Sequence, residues 1–208
     1  MVLVIHGTAD DIHRRTLDTM FEDRKRLFVD LLRWDVPVVD GRFEIDQFDD
    51  SHATYLIATD MRGTHAGSLR LLPSTRPHIL GHLFPCLCDS SVPVGPAVLE
   101  ITRLCLPARF HTAERLRIRN RLISALADHA LEVGIEVLTG VVSARFRTEV
   151  LAMGWRADAL GRPQRIGAQT LGAFAIHIDA DTPQRLHAAG IYTAGMIAPP
   201  PAITRAAA

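Results

Sequence analysis

The stretch VLEITRLCLP, residues 98 to 107, decides how this chain is read. Its apolar and branched residues have the composition and length of a strand, yet Glu100 and Arg103 stand inside it. In a regular strand, residues three apart point to opposite faces, which would send a carboxylate and a guanidinium into different layers. A bulge between them brings both to one face, and bulges are common beside active sites. The stretch therefore predicts a bulged strand that carries two charges inward.

Working outward, two more apolar elements are interrupted in the same way. Ile12, Leu17, Met20, Phe21, Leu27, Phe28, Leu31 and Leu32 recur at spacings of three and four, which predicts an amphipathic helix over 10–33. Thr8 is its expected cap, and Asp10 and Asp11 fall in its first turn. Arg24 falls on the apolar face of that helix, where it either snorkels to water or meets an anion. Two strand-length runs follow, ATYLIATD (53–60) and GSLRLLP (67–73), with Gly63 and Gly67 framing a hairpin, and Arg70 interrupts the second run. Buried charges are costly unless paired, so Arg24, Arg70, Glu100 and Arg103 point to one mutually compensating polar cluster. It is either a functional site or a structural ion-pair network.

The acids for such a cluster are concentrated in FEIDQFDD, residues 43 to 50, where four carboxylates and two phenylalanines share eight positions, with Trp34 upstream. Alone, this stretch reads as an exposed acidic loop. Beyond it, 73–97 reads as loop with a short helix around ILGHLF. A helix over 112–133 follows, with Leu116, Leu122, Ile123, Leu126, Ala127, Ala130 and Val133 on one face and Gly134 as its stop. A strand at 135–143, a helix at 144–153, a strand near 170–179 and a short helix at TPQRLHAA complete the chain. Helices alternating with strands, together with an early hairpin, predict an α/β domain over 1–197: a mixed sheet flanked by helices in two or three layers. The tail 198–208, rich in Pro and Ala, is expected to fray.

The chain has 208 residues, and Lys+Arg and Asp+Glu both number 23. No basic field draws in nucleic acid. No apolar run has the length of a membrane span, and MVLVIHG lacks a basic leader region, so a soluble cytoplasmic protein without membrane association is expected. Cys86, Cys88 and Cys105 read as reduced thiols. His78, His82, Cys86 and Cys88 do not have the spacing of a familiar zinc site, and no metal is expected.

With these residues in place, the chain resembles the acyl-homoserine-lactone synthases, the autoinducer synthases of the LuxI type. The resemblance is carried by R-x-x-x-F at 24–28, Trp34, E-x-D-x-F-D at 44–49, R-L-L-P at 70–73 with R-P at 76–77, and E-x-T-R at 100–103, in order over about residues 10–180. The positions that characterise the family stand here as Arg24, Phe28, Trp34, Asp46, Asp49, Arg70, Glu100 and Arg103. The resemblance implies a fold related to the N-acetyltransferases, with a twisted mixed sheet whose fourth strand is bulged. It implies S-adenosylmethionine as a substrate rather than a cofactor, with no further cofactor. It also implies an acyl thioester on acyl carrier protein or coenzyme A, and a quorum-sensing lactone with methylthioadenosine as products.

That chemistry assigns expected roles. Glu100 is the base for the substrate ammonium, directly or through a water. Arg103 and Arg24 grip carboxylates, or Arg24 only braces the pocket through Asp46 or Asp49. Trp34 and Phe28 offer faces to the sulfonium or the adenine. Asp46 is expected at the ammonium, Asp49 in the arginine network with Arg70. Leu104, Val141, Ser143 and Trp155 are candidate walls of an acyl pocket, each also readable as plain core. The arginines 109, 115, 117, 119 and 121 form either a patch for an acidic carrier or pantetheine phosphate, or a solvated helix face.

Two departures stand out. Leu99 replaces a tryptophan common in relatives, and Gly140 stands where members preferring 3-oxo chains carry threonine, which points toward a different acyl chain. Two rival readings remain: a coenzyme A-dependent N-acyltransferase of another amine, and a non-catalytic protein that binds adenosyl compounds. Against the first, the segment 104–121 has no glycine for a phosphate-cradling turn.

Overall fold

The computed structural model describes residues 1–8 and 12–199. The expected helix-start acids Asp10 and Asp11, and all but two residues of the expected frayed tail, lie outside the described residues. An eight-stranded sheet organises the chain. Its order is β1 (Val2–His6), β4 (Thr54–Thr59), β5 (His65–Pro73), β6 (Val98–Cys105), β7 (Val137–Ser143), β10 (Gln169–His177) and β8 (Arg156–Ala159), with β9 (Gln164–Ile166) also paired to β10. A separate ribbon joins β2 (Val38–Val39) to β3 (Phe43–Glu44). Among the described strands of the large sheet, only β6 and β7 pair in parallel. A parallel pair needs a long crossover, and the helix α2 (Thr112–Glu132) supplies it.

The alternation of side chains divides two cores between the two faces. Leu56, Leu69, Leu71 and Leu138 meet Ile118, Leu122 and Leu126 of α2 on one face. On the other, Tyr55, Ile57 and Leu72 meet Leu17, Met20 and Phe21 of α1 (Arg14–Arg24). A wide helical turn at Ile79–Leu83 covers β6 and β7 next to α1. Helices α3 (Ala144–Leu151) and α4 (Thr182–Ala188) pack at the β10 side and against α2 respectively. No helix among the described residues is long and apolar enough to cross a membrane.

The bulge expected in β6 is present. Arg70 pairs with Thr102 and Ser68 with Cys105, so Leu69 faces both Arg103 and Leu104. Arg103 takes φ +52° to make this possible, a left-handed conformation that costs a non-glycine residue about 1–2 kcal/mol. The extra residue shifts the phase of the strand. Glu100, Thr102 and Arg103 all face α1, while Leu104 returns to the α2 core.

Two helix expectations are corrected. The first helix is not continuous to residue 33: after Arg24 it widens into a π-helical segment, Lys25–Leu31. A π turn takes more residues per turn than an α turn, so Phe28 stays buried while Leu31 and Leu32 rotate into solvent. Ile12 is also exposed, before the helix begins. On α2, the ends of the stripe, Leu116 and Val133, are exposed because the sheet covers only the middle turns. Finally, β1, β8 and β9 had no clear signal: β1 is one short apolar run, and RADA and QRI are largely exposed pieces without alternation.

Candidate active site

Three of the four interrupting charges, Arg24, Arg70 and Arg103, meet the acidic stretch on the α1 face. Arg24, at the end of α1, donates from Nε to Glu44 at 2.6 Å and grips Asp49 with both terminal nitrogens at 2.8 Å each. Arg70, from the middle of β5, grips Asp46 at 2.6 and 3.1 Å, reaches Asp49 at 2.8 Å, and donates from Nε to Thr102 Oγ1 at 3.0 Å. Arg103, turned inward by the bulge, donates from Nη2 to Glu44 at 3.0 Å and to Asp46 at 2.6 Å. The loop bearing these acids is fixed by its own backbone. Asp46 N donates to Asp49, Phe48 N donates to Asp46, and the Tyr55 hydroxyl donates to Asp49.

Three guanidiniums thus face three carboxylates in a neutral, nearly dry cluster, which is the condition under which buried charge is tolerated. Burial alone would push the Asp49 carboxyl up. The Arg24 and Arg70 guanidiniums outweigh it and hold Asp49 well below the usual carboxylate range. Among the arginines, Arg24 and Arg70 have side chains 1% exposed, whereas Arg103 keeps 9%.

Glu100 stands apart from this network. Its side chain is fully buried, and its two oxygens accept the backbone N–H groups of Ile79 and Leu80, each at 2.7 Å, at the start of the wide turn. Burial pushes its carboxyl up to about 7; the two N–H donors and the nearby Arg70 and Arg103 offset only part of that. A carboxyl balanced near neutral pH has the property required of a general base.

The parallel pair β6–β7 opens beside these residues. Pairing runs from Val98 with Val137 to Ile101 with Gly140 and then ends, although both strands continue. The bulge at Arg103 lies at the mouth of this gap. A cavity of about 230 Å³ is lined by Phe48, Gln47, Leu72, Arg76 and His82.

Residues 9–186 match the family model for autoinducer synthases. The chain belongs to that family. An acyl-homoserine-lactone synthase from Rhizobium etli is 35% identical over 183 residues, 86% of each chain. Among solved structures, the CoA-dependent acyl-homoserine lactone synthase BjaI, determined with SAM and isopentyl-CoA, superposes with a TM-score of 0.84 at 23% identity, covering 95% of this chain and 92% of that one. A putative N-acetyltransferase from Lactobacillus plantarum superposes at 0.54 with 13% identity, over 86% and 99% of the two chains. The fold is therefore the N-acetyltransferase-like arrangement of a twisted mixed sheet between helices.

Of the eight positions that mark an autoinducer synthase in the sequence, Arg24, Asp46, Asp49, Arg70 and Arg103 share the ion network. Glu100 lies beside it, and Phe28 and Trp34 stack at its rim, 4.7 Å between centroids and 12° apart in plane. The Arg103 guanidinium lies 5.7 Å from the Phe28 centroid, so Phe28 is occupied on both faces and only Trp34 keeps exposed surface. Asp46 also belongs to the arginine network, binding two arginines, but unlike Asp49 it keeps some exposed side chain. Glu44, quoted in the motif but given no role, joins Arg24 to Arg103 and is fully buried.

The four candidate acyl walls do not gather. Leu104 and Trp155 face the α2 core, and the Trp155 indole donates to the Val150 carbonyl at 2.7 Å, a core role. Val141 faces the opposite side with Leu80, and Ser143 caps α3 by accepting from Phe146 N. The basic patch is also depleted: Arg109 bonds Asp23 and the His65 carbonyl, and Arg119 bonds Asn120.

At Gly140 the α2 face is closed by Phe174. A Cβ there would lie 2.6 Å from Phe174 Cζ and 3.1 Å from the Ile101 carbonyl. Gly140→Thr is expected to destabilise the protein by about 1–3 kcal/mol through overpacking, read from urea unfolding. Phe174→Leu in the same chain should recover most of that loss, and a double variant that recovers nothing would show that the clash is not with this ring.

Proposed function

We propose that this protein joins the acyl group of a thioester to the amine of S-adenosylmethionine and closes the product to an N-acyl-homoserine lactone, releasing methylthioadenosine. The observation that carries the reading is Glu100, a buried carboxyl balanced near neutral pH beside a closed arginine–carboxylate network. The amine is inert as an ammonium, so Glu100 takes its proton, and the freed lone pair attacks the thioester carbonyl. The carrier thiolate leaves and is protonated. The substrate carboxylate then attacks its own γ-carbon, and the sulfonium departs as a neutral thioether. No protein nucleophile is required, so positioning dominates.

Arg103, the most exposed guanidinium of the network, is our assignment for the substrate carboxylate. Arg24 and Arg70, spent on protein partners, brace it. Asp46, with 4% of its side chain exposed against none for Asp49, is our assignment for the ammonium, and the outer face of Trp34 for the sulfonium or adenine. The acyl arm would enter the gap where β6 and β7 part, whose unpaired backbone groups suit an extended amide chain. The donor is carried by acyl carrier protein or coenzyme A, and we place the reaction in the cytoplasm.

Purified protein incubated with S-adenosylmethionine and acyl thioesters on both carriers should yield lactone and methylthioadenosine in equal amounts, followed by mass spectrometry. Amide without lactone would make it an acyltransferase of a different kind. No product from any donor would leave the adenosyl-binding reading.

A further inference from the structure

Among the described residues, four buried side-chain polar atoms lack a hydrogen-bond partner, and two of them, Thr139 Oγ1 and His78 Nε2, belong to residues tied to Glu100 by strand register or by the turn that holds it. Thr139 is fully buried and pairs directly with Glu100 across the parallel β6–β7 ladder. Side chains so paired project to the same face, with strands about 5 Å apart. His78, 4% exposed, immediately precedes Ile79 and Leu80, whose N–H groups hold Glu100, and the turn they begin packs over both β6 and β7.

The tautomer of His78 follows from its other nitrogen. Nδ1 lies 2.8 Å from the Arg76 carbonyl. A carbonyl only accepts, so Nδ1 carries the proton in the neutral ring and Nε2 presents a lone pair. The ring is held over Gly81, where a Cβ would come within 2.7 Å of Nε2. The Glu100 oxygens, each already bonded to one backbone N–H, keep further lone pairs, while His78 Nε2 is an unpartnered acceptor and Thr139 an unpartnered hydroxyl. Buried acceptors of this kind require a donor, and a guest with two O–H bonds that also accepts one satisfies all three groups. Water has that valence and typically makes about three such bonds when buried.

We propose that Thr139 and His78 are positioning residues for Glu100, jointly holding one water against its carboxylate. The water donates to Glu100 and to His78 Nε2 and accepts the Thr139 hydroxyl hydrogen. The inference rests on reading Glu100 as the base, for which the water fixes the protonation state and provides the first step of the outward proton path. The other charges facing Glu100 are Arg70 from β5 and Arg103 from β6 itself, while β7 has no ionisable residue in Val137–Ser143. Thr139 is thus the group on that side that tunes the base.

The test is the titration of Glu100 by infrared difference spectroscopy, with Glu100→Gln identifying its band. Thr139→Val keeps the shape and removes the hydroxyl. Its Glu100 midpoint should rise by about one pH unit, because the water that loses the Thr139 donor is no longer held in place to donate to the charged carboxylate. Thr139→Ser should titrate like the wild type. The acid limb of the lactone-forming rate should move with the midpoint while KM for S-adenosylmethionine stays unchanged. A high-resolution crystal structure should place a water within hydrogen-bond distance of all three groups. An unmoved midpoint in Thr139→Val, or no water shared by the three groups, overturns the proposal. Because the spectroscopic and crystallographic readouts need no turnover, a wild type that makes no lactone would count against the proposed function alone.

Discussion

Glu100→Gln should lower lactone formation by about 10²–10⁴-fold, the range a positioned general base contributes. The loss should appear in kcat at saturating S-adenosylmethionine, because the removed group acts on the bound amine. In the wild type the rate should rise with pH through the region near 7, where burial has pushed the carboxyl, as the base becomes ionised. The variant should lack that limb. Wild-type rates in Glu100→Gln would remove this residue as the base.

The same residue shapes stability in the opposite direction. Its carboxyl is raised from an ordinary 4.5 to about 7 on folding, so between those values the folded protein binds a proton that the unfolded chain does not. The contribution is fully present below about pH 4.5 and is lost as pH rises to 7, about 3 kcal/mol over the window. Unfolding by urea at a series of pH values should show this slope in the wild type minus Glu100→Gln difference. Asp49, held low by its arginines, acts at more acid pH, where its protonation removes stability, so the two effects separate.

Glu44→Ala should be the most destabilising single change in the network. It strands Arg24 Nε and removes one of the two carboxylates holding Arg103, leaving an uncompensated buried cation. Breaking such a pair costs about 3–5 kcal/mol, a large part of the 5–15 kcal/mol typical of a folded domain. The control is Arg42→Ala, which breaks an ion pair between Glu22 and an arginine side chain 62% exposed and should cost less than about 1 kcal/mol. Equal urea midpoints for the two variants would show that the network does not carry the energy assigned to Glu44.

The site was legible to different depths. Arg24, Arg70, Glu100 and Arg103 were visible because each contradicts an apolar pattern, and the unfavourable energy of an unpaired buried charge makes such contradictions informative. The bulge followed from parity together with the need to bring both charges into one cluster, since no regular strand puts residues 100 and 103 on one face. Glu44 passed unnoticed because it lies among other acids in FEIDQFDD, where nothing local marks one carboxylate as buried and the next as exposed. The π-helical widening after Arg24 was equally hidden, because spacings of three and four do not reveal where one extra residue enters a turn.

What the sequence by itself determined is the set of elements with strong periodicity, the strand that must bulge, and the ordered motif that places the chain among the autoinducer synthases. Tertiary structure alone decided which acid meets which arginine, that Asp46 and Asp49 share one network, that Trp155 and Ser143 each bond to α3, and that Thr139 stands beside Glu100. The reason is physical. Periodicity and charge are properties of neighbours along the chain, whereas ion pairing, desolvation and unsatisfied hydrogen bonds arise between residues that the sheet register brings together from far apart.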